Sequence, residues 1–178
     1  MIGVLVTLLC AVSAAAPDVR PVQTVDAVDL ARYVGDWFEV ARFPNRFQRS
    51  CAGGVKARYS VRVDGRIDVA NRCLDGNGRV VQAQGVARVV DARTSAKLKV
   101  RFAPAWLSLL PFVWGDYWVI GLADDYSWAV VGSPDRAYLW VLSRTTVLDA
   151  LPFETALAAA RANGFDVDKL VSTRQPAP

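Results

Sequence analysis

Between Gly35 and Arg144 the apolar residues recur every second position, and turn-forming residues interrupt them at regular intervals. A chain written this way is limited to antiparallel sheet. Eight runs carry the pattern: Trp37 to Phe43, then "VKARYSVRV", "RIDVANRC", "VVQAQGVARVV", "KLKVRF", "DYWVIGLA", "SWAVVG" and "AYLWVLSR". Between them stand Asp64-Gly65, "DGNG" at 75–78, "DARTS" at 91–95, "DDY" at 124–126 and "SPDR" at 133–136. Such short connections pair sequence neighbours in space. After the last run the period changes. In "LPFETALAAARANGF", Phe153, Leu157 and Ala160 share one helical face, Pro152 suits the first turn and Gly164 the C-terminal cap. The expected fold is all-β: an eight-stranded antiparallel up-and-down barrel with one C-terminal α-helix packed outside. Closure removes both sheet edges and encloses room for one small ligand. A two-sheet sandwich is the competing arrangement.

A chain of 178 residues suits one domain. The start, "MIGVLVTLLCAVSAAAPDV", is apolar and closes on small residues, as a signal peptide does. Residues 1–16 are therefore expected to be a signal segment and residues 17–178 the single domain of an exported protein. A lipid anchor at Cys10 is not expected, because Leu9 stands where a lipobox needs a small residue.

Export makes the two remaining cysteines, Cys51 and Cys73, a disulfide rather than a metal pair. The chain has no His, so no closed zinc site can be completed and no metal is expected. The Asp64-Gly65 hairpin brings Cys73 opposite the start of the second strand, close after Cys51. Two unpaired buried thiols are the alternative. The net charge of +4 comes from scattered arginines. Arg58 and Arg62 alternate with Tyr59, Val61 and Val63 and read as the wet face of a strand, which argues against nucleic acid.

Catalysis needs a placed acid, base, nucleophile or metal, and the chain contains no GxSxG, no HExxH and no glycine-rich phosphate loop. The remaining enzymatic alternative is a thiol-dependent isomerase or peroxidase using Cys51. Binding has more support. Alternation turns Glu39, Ala57, Tyr59, Val61, Val69, Asn71, Gly85, Ala87, Leu98, Val100 and Phe102 inward. Tyr117, Val119, Trp128, Val130, Tyr138 and Trp140 continue the wall. It is mainly apolar with a few polar tips, as small-molecule sites are, and the small side chains at Ala57, Gly85 and Ala87 leave volume. No cofactor is implied. A solid core of the same residues is the competing reading.

In "YVGDWFEVARF", Trp37, Glu39 and Ala41 share one face and Phe38, Val40 and Arg42 the other. Gly35 lets a short turn, "DLARYV" capped by Asp29, pass beneath the barrel, so that Trp37 plugs the closed end. "GDW" followed by "FEVARF" resembles the first signature of the lipocalin family. "LADDYSWAVVGSP" resembles the second, and "YLWVLSR", ending in Arg144, the third. The resemblance spans residues 29–175, including the tail "NGFDVDKLVSTRQP", and is to the bacterial, outer-membrane type lipocalins related to apolipoprotein D. It implies that Gly35, Trp37 and Arg144 form a structural signature, with the Arg144 guanidinium across the Trp37 ring. Without the resemblance, Arg144 reads as a surface residue at a strand end. Fatty acids or lysophospholipids follow as the implied ligand class, and the periplasm or the outer-membrane periphery as the implied location.

One segment departs from that pattern. "APAWLSLLPFVWG", residues 103–115, joins the fifth and sixth strands and carries Trp106, Leu107, Leu109, Leu110, Phe112 and Trp114 without a charge. A connection this long and apolar either lids the barrel or lies on a bilayer, with Arg46, Arg49 and Arg101 near lipid phosphates.

Overall fold

The computed structural model describes residues 20–176; the expected signal segment and Cys10 lie outside them. A sheet of antiparallel strands runs in sequence order: β1 (Gly35–Arg42), β2 (Gly53–Val61), β3 (Ile67–Leu74), β4 (Val80–Val89), β5 (Lys97–Arg101), β6 (Gly115–Leu122), β7 (Trp128–Gly132) and β8 (Leu139–Ser143). Pairing of β8 with β1, and of β1 with β2, closes the barrel. The helix α2 (Ala150–Ala162) packs outside with Ala156, Leu157 and Ala160 buried.

Closure brings an element that alternation did not reveal. Past Phe38, β1 and β2 diverge, and a two-residue strand, β9 (Val171–Ser172), pairs with Ala41 and Arg42. The tail behind it stitches both neighbours: the Gly54 N–H donates to the Arg174 carbonyl at 2.8 Å, and the Gln175 amide donates to the Glu39 and Val55 carbonyls at 2.7 and 2.9 Å.

Two cores result. The inner one gathers Tyr33, Trp37, Tyr59, Ile67, Val69, Leu98, Val119 and Val131. The outer one lies between sheet and α2 and gathers Ala41, Trp128, Val130, Leu139, Val141, Leu157 and Phe165. This corrects the expected wall: Trp128 and Val130 face the helix, and Ala129 and Val131 face inward. All five residues of β7 are buried, because the helix covers the side that would otherwise be polar, so the strand has no alternation to read.

Register shifts at Val40 and Ile120 change faces in the same way. An extra residue in one strand reverses the side chains beyond it. Trp37 and Glu39 therefore point inward as expected, but Ala41 joins the outer core. Arg42, paired with Trp140, turns to the interior instead of away from it.

Candidate functional site

The floor is built from the opening stretch. Asp29 caps α1 (Leu30–Tyr33), its carboxylate accepting from the Ala31 and Arg32 N–H groups at 2.8 and 3.4 Å. Gly35 then turns the chain into β1 at φ +98°, where a Cβ would stand 3.4 Å from Arg144 Nη1. Both the left-handed backbone and the close guanidinium call for glycine. Trp37 is fully buried, and its indole N–H donates to the Tyr33 carbonyl at 2.7 Å. The Arg144 guanidinium lies 3.8 Å from the Trp37 ring centroid. It donates to the carbonyls of Tyr126, Asp36, Arg32 and Tyr33 at 3.3, 2.8, 2.7 and 3.1 Å. Arg144 thus holds the α1 end, strand β1 and the turn before β7 to one point.

Above the floor stand three tyrosines. The Tyr33 and Tyr117 hydroxyls are 2.8 Å apart, and Tyr117 donates to Tyr59 at 3.1 Å. Burial pushes the Tyr59 phenol up to about 12 and raises the other two well above the ordinary phenol value, so all three are neutral hydroxyls near neutrality.

Higher on the wall Glu39, 3% exposed, accepts from Gln48 Nε2, Arg42 Nη1 and Thr173 Oγ1 at 2.6, 3.1 and 2.5 Å. Burial raises its pKa against these three donors. Gln48 also receives the Trp140 indole N–H at 3.0 Å. Alternation found Glu39 and Trp140. It missed Tyr33, Arg42, Gln48 and Thr173, which come from the lead-in helix, beyond a bulge, a loop and the tail.

The remaining wall positions differ in their surroundings. Val69, Ala87, Leu98 and Val119 are buried in the inner core, with Ala57, Val100, Tyr117 and Trp140 packed against it. Asn71 shares the Ala57 register and leaves its side-chain oxygen buried without a partner. Val61, by contrast, is 52% exposed at the end of β2, past the point where its face is covered. Gly85 does not simply leave space: a Cβ there would meet the Phe102 ring at 2.7 Å, so the glycine seats that ring. At the mouth the Tyr138 and Trp140 rings stack at 5.8 Å, and Phe47 lies 5.8 Å from Tyr138.

Cys51 and Cys73 are joined in a disulfide beside this mouth. The bond leaves Cys51 no free thiol, which removes the nucleophile of the enzymatic alternative in this redox state.

The 103–115 segment forms two 3-10 turns, Ala105–Leu107 and Pro111–Val113. Trp114 anchors it: Arg88 and Arg101 lie 4.4 and 5.2 Å from the indole, and the indole N–H donates to the Ser108 carbonyl at 2.8 Å. Arg101 is itself buried and donates to the Ala103 and Pro104 carbonyls. Held from that side, the segment presents Trp106, Leu109 and Phe112 to solvent at 78, 92 and 80% exposure. Leu110 is partly exposed, while Leu107 and Trp114 are half-buried.

On the outer face a hollow of about 220 Å³ is lined by Asp36, Lys56, Arg58, Ala70, Arg72 and Gln82. Arg58 grips Asp36 with two hydrogen bonds of 2.6 and 2.7 Å, and Lys56 approaches at 2.6 Å. These cations hold the Asp36 carboxyl well below the usual carboxylate range. Its stabilisation is therefore complete above the unfolded pKa and is lost as pH falls through the lower folded value. Asp36→Asn should cost about 1 kcal/mol at neutral pH. That difference from the parent should shrink in urea titrations carried down through the acid range; a difference independent of pH would refute the assignment.

A closed barrel with an apolar inner wall, an aromatic floor and one helix outside defines a protein of the calyx class. A lipocalin-like domain profile matches residues 28–175. The chain is 41% identical to the outer membrane lipoprotein Blc of Escherichia coli K12, over 88% of this chain and 85% of that one. It is 37% identical to temperature-induced lipocalin-1 of Arabidopsis thaliana (88% and 84%) and 30% identical to mouse apolipoprotein D (87% and 80%). Among solved structures, lobster apocrustacyanin A1 superposes with a TM-score of 0.67 at 15% identity, over 92% of this chain and 94% of that one. The chain belongs to the lipocalin family, whose members bind small hydrophobic ligands.

Proposed function

We propose that the protein binds a single-chain lipid, a fatty acid or lysophospholipid, inside the barrel without turning it over, and that it works as an exported carrier at the periplasmic side of an outer membrane. The observation that carries this reading is the inner wall of Tyr59, Val69, Leu98, Val100 and Val119 standing over the Trp37 floor. Such apolar lining with few polar groups suits an acyl chain. The similarity to an outer membrane lipoprotein supports the location. Native mass spectrometry of protein from an exporting host, followed by displacement of a fluorescent fatty acid, tests it. Bound lipid and saturable displacement are expected; the absence of both refutes the reading.

Uptake directly from a bilayer is the second half of the proposal. Exposed Trp106, Leu109 and Phe112, with Phe47 also exposed at the same barrel end, favour docking over the lid arrangement, because a lid would turn these side chains toward the cavity. Arg46 and Arg49 stand beside Phe47 for lipid phosphates. Replacing Trp106, Leu109 and Leu110 by Ser should lower liposome association about tenfold or more and slow lipid uptake, with the melting curve unchanged. Partitioning equal to the parent refutes docking.

A further inference from the structure

The three tyrosine hydroxyls above the floor form a hydrogen-bond relay with a defined direction. Each phenol carries one proton. Tyr117 spends its proton on Tyr59, so the 2.8 Å contact between Tyr33 and Tyr117 is made by the Tyr33 proton. Tyr59 accepts at the end of this relay, and among the described residues no group accepts its own proton. Yet Tyr59 is buried, in the inner core, at the register of Gly35. A buried hydroxyl donor without an acceptor is costly unless a partner arrives.

The surroundings restrict what that partner is. The Tyr33 ring stacks at 6.0 Å on Tyr59, and the Tyr117 ring meets it edge-on at 6.1 Å, so the polar point is enclosed by aromatic faces. Besides burial, two charges act on Tyr59 with opposite sign, Glu39 raising its pKa and Arg144 lowering it, so neither fixes the charge of the partner; the burial of the site does. A carboxylate here would be stripped of water among the rings, with the Arg144 guanidinium already committed to four backbone carbonyls and the Trp37 face, and burying an unpaired anion costs far more than burying a neutral oxygen. The acceptor must be neutral.

We propose that Tyr59 donates a hydrogen bond to a neutral oxygen, a ketone or hydroxyl, at the deep end of the ligand, so that the barrel selects lipids oxygenated near the chain terminus. This rests on the lipid-binding reading above and adds a specificity-determining residue to it. The charged head of such a ligand stays at the mouth, where Arg42 and Gln48 stand, and the chain runs down the wall. From Val55 to Tyr59 is about 13 Å along β2, at roughly 3.3 Å per residue, which a sixteen-carbon chain spans.

The test is competitive displacement of a dansyl-labelled undecanoic acid by two competitors, hexadecanoic acid and the same chain bearing a ketone beside its terminal carbon. The parent should prefer the ketone about fivefold, the range of one buried neutral hydrogen bond. Tyr59→Phe should bind both equally. Tyr33→Phe, which removes the start of the relay but leaves the Tyr59 proton free, should keep the preference; this separates recognition by Tyr59 from a structural effect of breaking the relay. Displacement of the parent by both competitors without preference, or a preference that survives Tyr59→Phe, overturns the inference alone. Failure of both competitors to displace the probe from the parent overturns the lipid-binding reading and this inference with it.

Discussion

Trp37→Ala should destabilise the protein by about 3–5 kcal/mol, the range for emptying the site of a buried large aromatic. The indole is fully buried, and three dependencies meet on it. Tyr33 packs against it with ring centroids 5.1 Å apart, its N–H satisfies the Tyr33 carbonyl at the end of α1, and its face carries the Arg144 guanidinium. Removing the ring leaves that guanidinium without a face to lie on and opens a void at the barrel floor. Arg144→Ala alone should also be costly, because it strips donors from four backbone carbonyls. The two substitutions should therefore be strongly non-additive. Urea denaturation of the two single variants and the double variant measures the coupling. Additive losses would mean that Arg144 acts only as a backbone clamp, with no cation–π contribution of the expected 0.5–2 kcal/mol.

That floor was readable because its residues are contiguous. Gly35, Trp37 and the Asp29 cap lie within nine positions, and a helix turn, a glycine and an indole in that order have few ways to be arranged at a barrel end. The meander was readable for a related reason, since most strands bury one face only and wear their period openly. Information was lost where that condition failed. β7 is covered on both sides, so nothing in "SWAVVG" distinguishes Trp128 from Ala129 as the inward residue. A bulge at Val40 reverses β1 in its last two residues without any Gly or Pro to announce it, which hid the inward turn of Arg42. β9 is two residues long, below any period. The polar cluster around Glu39 therefore could not be assembled from the sequence, because its donors come from a loop, a bulged strand end and a tail more than a hundred residues away. Gly85 was legible as small, but the reason for its size, the Phe102 ring over it, is a contact between strands.

Removing the disulfide should have the second large effect, about 3 kcal/mol for a bridge between residues 22 apart. Its position decides where the loss is felt. Cys51 follows the 3-10 turn Arg46–Gln48, and Cys73 lies in β3, so the bridge ties the β1–β2 connection to the barrel wall. That connection carries Gln48, which serves both Glu39 and Trp140, and Phe47, which meets Tyr138 at the mouth. With both cysteines replaced by Ser, the connection loses its covalent tie to the wall and keeps only hydrogen bonds, among them the Asn45 side chain accepting from the Phe47 and Gln48 N–H groups at 3.1 Å each. The floor, at the other end of the barrel, has no covalent link to this loop. Cys51→Ser/Cys73→Ser should thus lower the unfolding free energy from urea titration by the amount stated and raise amide exchange selectively between residues 44 and 54. The Trp37 and Arg144 neighbourhood should stay protected until global unfolding. If exchange instead rises evenly over both barrel ends, the bridge acts through the unfolded chain alone, and the local ordering of the mouth by the disulfide is refuted.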